Sequence, residues 1–106
     1  MTRILYDPVT LSLSAEGHAG YAEYGKDIVC AGISALIFAL PAALEQHGIA
    51  YQIDTDRGYV SIKAKPAINY RYVCHIILST TMVGLKNIQN EYPEYISITI
   101  KESEEE

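Results

Sequence analysis

Residues 28 to 44, IVCAGISALIFALPAAL, are almost uniformly apolar, and no other stretch narrows the choice of folds so far. A helix that is apolar all round must be covered on several sides, by a sheet, another helix or a second copy of the chain. The run is too short and too rich in small residues to read as a membrane span, which takes about 20 apolar positions. It opens after Asp27, whose carboxylate can accept backbone N–H groups two or three residues on. It closes at His47, before Gly48, a residue type favoured just past a helix end. The expected helix therefore runs from Asp27 to His47, with Pro41 removing one backbone bond to Ile37 and bending it there. At 106 residues and 49% apolar content, the chain can bury one real core and not two.

The rest of the chain alternates in period two before and after this helix. Residues 3 to 6 form a short apolar run, Asp7-Pro8 signals a turn, and LSLSAE sets Leu11, Leu13 and Ala15 against Ser12, Ser14 and Glu16. That is a hairpin with one wet face. YQIDT and YVSIKAK, joined by Asp56, Arg57 and Gly58 and closed by Pro66, form a second hairpin. Between residues 68 and 90, Tyr70, Cys74, Ile77, Thr81, Gly84 or Leu85, and Ile88 recur at helical spacing. Ile96, Ile98 and Ile100 then alternate against Ser97, Thr99 and Lys101 in a last strand. The order β-β-α-β-β-α-β predicts an α+β two-layer sandwich, a mainly antiparallel five-stranded sheet with two helices on one face. Residues 1–101 make the domain. Glu102, Glu104, Glu105 and Glu106 belong to an acidic tail, 102–106, expected to be disordered.

Charge and cysteine content exclude several functions. The net charge of -5 owes much to the tail, and the eight Lys and Arg are scattered singly, so no basic patch exists for direct nucleic-acid binding. A basic peptide or protein is the better-matched partner. The start, MTRILYDP, carries no secretory apolar segment, so a cytoplasmic protein is expected. Two cysteines without a CxxC make neither a disulfide framework nor a familiar zinc pattern. The all-round apolar helix favours a homodimer, and neither a metal nor a cofactor is expected.

Chemistry concentrates in GHAGYAEYGKDIVCAGIS, residues 17 to 34. With Asp27 as cap, Cys30 falls in the first helical turn, where the helix dipole favours an anionic sulfur by on the order of 1 kcal/mol. That alone is too little, and a neighbouring imidazole has to supply the rest. His18, at the end of a strand twelve residues earlier, is the candidate, and the long intervening loop with Gly20 and Gly25 exceeds an ordinary strand-to-helix connection. The Cys30 N–H offers itself as an oxyanion donor, Ser34 shares the cysteine's helical face, and Tyr21 and Tyr24 can cover a bound peptide. Asp27 serves either the helix cap or the orientation of His18. The plainer reading makes Cys30 a small buried hydrophobe and His18 a solvated loop residue, and spacing does not decide between the two. Cys74 reads as core, His75 points about 100° from it, and His47 reads as a helix-end cation. A zinc site from His18, Cys30 and Cys74 lacks recognisable ligand spacing.

The same words resemble the signature of the Prp family, the ribosomal-processing cysteine proteases of bacteria: Gly-His-Ala, a variable loop, then Gly-x-Asp-Ile-Val-Cys-Ala-x-x-Ser. Gly17, His18, Ala19, Gly25, Asp27, Ile28, Val29, Cys30, Ala31 and Ser34 all fit, and YPEY at 92 to 95 resembles the family's ending. The resemblance implies a homodimeric cytoplasmic endopeptidase that removes the N-terminal extension of large-subunit ribosomal protein twenty-seven during ribosome assembly. Carried over by position, Cys30 is the nucleophile and His18 the general base, with Asp27, Ser34 and Gly17 in support. Gly32 departs from the alanine of many relatives, at a helix-propensity cost of roughly 1 kcal/mol, and either loosens the first turn or admits a close neighbour. The rival reading is a non-catalytic ribosome-assembly module that clamps a peptide with the loop at 17–27.

Overall fold

The computed structural model describes residues 1–101; the acidic tail expected at 102–106 lies outside the described residues. The elements are β1 (Thr2–Asp7), β2 (Ser12–Glu16), α1 (Ile28–Gln46), β3 (Tyr51–Asp56), β4 (Tyr59–Ala64), a single 3₁₀ turn at Ile68–Tyr70, α2 (Arg71–Glu91) and β5 (Ile96–Ile100). They form a five-stranded sheet in the order β3-β4-β2-β1-β5, antiparallel except where β5 runs parallel to β1.

Alternation decides which face the helices cover. Thr2, Ile4 and Tyr6 of β1, Leu13 and Ala15 of β2, Val60, Ile62 and Ala64 of β4, and Ile96 of β5 are buried. On the opposite face Leu5 stands across from Ser14, and Ser14 from Ser61, none of them buried. The β1–β2 turn is fixed by Asp7, whose Oδ1 accepts the N–H groups of Val9 (3.0 Å) and Thr10 (3.2 Å). Leu11 follows at φ 58°, a left-handed conformation that costs roughly 1–2 kcal/mol and is offset because its side chain is only 2% exposed in the core.

Helix α1 runs through Pro41 without interruption and buries Val29, Ile33, Ile37, Leu40, Pro41 and Leu44 on one side. By length and composition alone it could cross a membrane, with a mean hydropathy of 2.1. Its buried side packs instead on α2 and the sheet. Covering on several sides, expected from the sequence, is not met within one chain, because Ile28 is 59% and Phe38 48% exposed. The two helices approach at glycines. A Cβ on Gly32 would meet Ile88 Cδ1 at 3.4 Å, and one on Gly84 would meet Leu36 Cδ2 at 2.8 Å. At Gly32 the neighbour leaves room for a methyl group; at Gly84 Leu36 would have to shift.

In α2 the buried side chains are Cys74, Leu78, Thr81, Met82 and Leu85. The expected stripe contained Cys74, Thr81 and Leu85 but not Leu78 or Met82, and it included Tyr70, which is exposed. Tyr70 falls in the 3₁₀ turn before α2, which shifts it out of register with Cys74, whereas Leu78 and Met82 lie one and two turns after Cys74 on the same face.

Candidate active site

At the end of β2 the chain must leave the sheet sharply, and Gly17 makes this possible. Its φ is 95°, and a Cβ there would collide with the Met1 carbonyl oxygen, so no side chain is tolerated. The Gly17 N–H donates to the Gly58 carbonyl at 2.8 Å, adding one rung beyond the Glu16–Tyr59 pair that ends the β2–β4 ladder. His18 therefore leaves directly from a hydrogen-bonded strand end. It is exposed, beside buried Ala19.

The other half of the site is set by Asp27. Oδ1 accepts the Cys30 N–H at 2.8 Å, the N-cap bond expected from the sequence. Oδ2 reaches back across the loop to the N–H groups of Tyr21 (3.0 Å) and Ala22 (3.4 Å). The carboxylate thus serves the helix and the loop, which resolves the choice between capping and orienting His18. Burial on its own would raise the Asp27 pKa, but the N–H donors of Cys30, Ala22, Tyr21 and Val29 outweigh it and hold the carboxyl below its ordinary value. The Cys30 N–H, the backbone donor offered for an oxyanion, is thus bonded to Asp27 in this structure.

Cys30 is half-buried, packed by its stem against the core and open on one side. It lines a cavity of about 610 Å³ under the loop, together with His18, Tyr24, Asp27 and Ser34. A second cavity, of about 310 Å³, opens on the other side between α1 and the β3–β4 hairpin, and shares His18, Tyr24, Cys30 and Ser34. The thiol and the imidazole therefore border both spaces. A chain lying along either space would pass both side chains.

Tyr21 and Tyr24, expected to act together, part company. Tyr24 is fully exposed over the cavities. Tyr21 lines neither; its ring packs edge-on against Tyr92 (centroids 5.5 Å apart) and Tyr95 (5.3 Å), tying the loop to the segment before β5. Those two tyrosines as anchors of the loop, and Gly58 with Tyr59 of the hairpin as lining of the second cavity, were missed in the sequence. YPEY was the only signal for the first pair, and the hairpin turn gave none. Cys74 lies in the core, where burial raises its thiol pKa. No group of three His, Cys, Asp or Glu placed to hold a metal occurs among the described residues.

Comparison with known proteins agrees with this geometry. Residues 3–97 match the family model described as cysteine protease Prp. The ribosomal processing cysteine protease Prp of Staphylococcus aureus is 37% identical over 91 residues, covering 81% of this chain and 82% of that protein. The Mycoplasma genitalium protein of the same name is 41% identical over 86 residues, covering 81% and 84%. The crystal structure of the S. aureus protease in complex with a covalently linked product peptide superposes with a TM-score of 0.85 at 30% identity, over 95% of this chain and 100% of that one. A second S. aureus structure holds a substrate peptide and gives a TM-score of 0.78 at 29% identity, over 95% and 100%. By fold, by sequence and by the motif around its half-buried thiol, this chain belongs to the Prp family of ribosomal processing cysteine proteases.

Proposed function

We propose that Cys30 is the nucleophile and His18 the general base of an endopeptidase that removes the N-terminal extension of large-subunit ribosomal protein twenty-seven. The observation that carries this reading is the half-buried thiol in the first turn of α1 sharing both cavities with an imidazole launched from a strand end. The S. aureus relative holding a covalently linked product peptide supports a covalent route. His18 takes the thiol proton, sulfur bonds to the scissile carbonyl carbon, and the carbon–nitrogen bond breaks as the proton passes to the leaving amine. Water, deprotonated by the same ring, then releases the acyl group and restores the thiol. For the Cys30 N–H to stabilise the tetrahedral oxyanion, Asp27 Oδ1 has to let it go. Peptide binding and loop position are thereby coupled. Gly17 and Ser34 support the site, Gly17 by the turn it alone permits and Ser34 from the shared wall.

In this reading the enzyme works in the cytoplasm as a homodimer, which would cover apolar side chains such as Ile76 and Val83 on α2. The non-catalytic clamp has less support, since the family is a protease family. Cys30→Ala and Cys30→Ser should fold normally by circular dichroism yet leave the mass of that ribosomal protein unchanged after mixing. A shortened product made by either variant would exclude Cys30 as the nucleophile.

A further inference from the structure

The β3–β4 hairpin takes part in the site without contributing a titrating group to the proposed reaction. Its tip is Gly58, at φ 69°. Two contacts join that residue to the base. The Gly58 carbonyl accepts the N–H of Gly17, the residue before His18, at 2.8 Å. A Cβ placed on Gly58 would lie 3.4 Å from His18 Nε2 and 4.0 Å from Cδ2. The imidazole thus rests over a bare stretch of hairpin backbone, at a distance where one carbon would touch it and anything longer would compete for its place. Gly58, His18 and Cys30 also share the wall of the cavity between α1 and the hairpin.

We propose that Gly58 is a positioning residue for His18. Its carbonyl fixes where the histidine leaves the sheet, and its missing side chain leaves the ring the space from which it reaches the thiol. This rests on the reading of His18 as the base. The same contact gives β3 and β4 a role in rate, since any movement of the hairpin tip moves the ring. Small displacements of a reacting group are expensive, which is why such a contact is consequential.

The structure supplies a matched control. Gly48, just beyond α1, has nearly the same backbone angle, φ 71°, but nothing lies within 4 Å of a Cβ built there. Asparagine tolerates left-handed backbone, so Gly58→Asn and Gly48→Asn carry similar backbone strain and differ in the contact with His18. Peptide cleavage and the pH profile of iodoacetamide labelling at Cys30 are the readouts. Gly58→Asn should lower kcat and neutral-pH labelling by about tenfold or more while Gly48→Asn stays within about twofold. In a His18→Ala background, Gly58→Asn should cost nothing further. If Gly58→Asn does not fold, Gly58→Ser carries the same test, because its hydroxyl extends beyond a Cβ that already stands in contact with the ring.

A wild-type pH profile in the folded Gly58 variant overturns the inference, as does an equal loss in the His18→Ala background. If His18→Ala is inactive and the Gly58 variant normal, only the positioning role fails. If His18→Ala cleaves as well as wild type, the assignment of the base fails and takes this inference with it.

Discussion

Asp27 joins backbone donors from two segments, holding Cys30 through one oxygen and Tyr21 and Ala22 through the other. A carboxylate whose pKa is held down in the fold stabilises it only while charged. The contribution is complete above the unfolded value of about 3.9 and disappears as pH falls through the lower folded value. Thermal unfolding midpoints should therefore drop more steeply on acidification below about pH 4 for wild type than for Asp27→Asn. At neutral pH Asp27→Ala should cost about 1 kcal/mol in urea unfolding. Parallel acid profiles for wild type and Asp27→Asn would contradict this. The cap was one of two uses legible in the sequence, the other being orientation of His18, and the bond to the Cys30 N–H favours the cap. The tether to the loop was not legible, since its bonds depend on a path set by Gly20 and Gly25, both at positive φ. The packing of Tyr21 was hidden for a related reason: its ring partners, Tyr92 and Tyr95, come from the other end of the chain.

At the scale of elements, hydrophobic period identified both helices and the strands that bury one face, because period reports faces; β3, which buries none, was found through the turn that joins it to β4. It could not show which glycine is a contact. A Cβ on Gly84 would have to displace the Leu36 methyl groups, whereas one on Gly32 would meet Ile88 at an ordinary distance. The two should respond oppositely. Gly84→Leu is expected to destabilise by about 1–3 kcal/mol through overpacking, with partial rescue by Leu36→Ala. Gly32→Ala should gain up to about 1 kcal/mol of helix propensity. Chemical denaturation of the four variants, the double mutant included, measures both, and a stabilising Gly84→Leu would mean that the helices separate more easily than their packing implies. The bare contact between Gly58 and His18 escaped the sequence for the same reason: proximity across a turn leaves no periodic trace.

For the molecule as a whole, alternation fixed which side chains face the helices but not which strands are neighbours. The sheet order, with β5 added parallel to β1, was therefore not legible. Nor did the apolar run of α1 reveal that one chain leaves Ile28 and Phe38 uncovered. The proposed homodimer should sediment at twice the mass of one chain at micromolar concentration, and a monomer there would remove that part of the reading. The pairing of the first strand with the last also bears on when activity can arise during synthesis. Until β5 and the tyrosines before it have left the ribosome, β1 lacks its parallel neighbour and Tyr21 has no rings to rest on. A chain ending at Glu91 should therefore melt without cooperativity and leave its substrate uncut, so that translation itself would delay the first cleavage until the protease is finished.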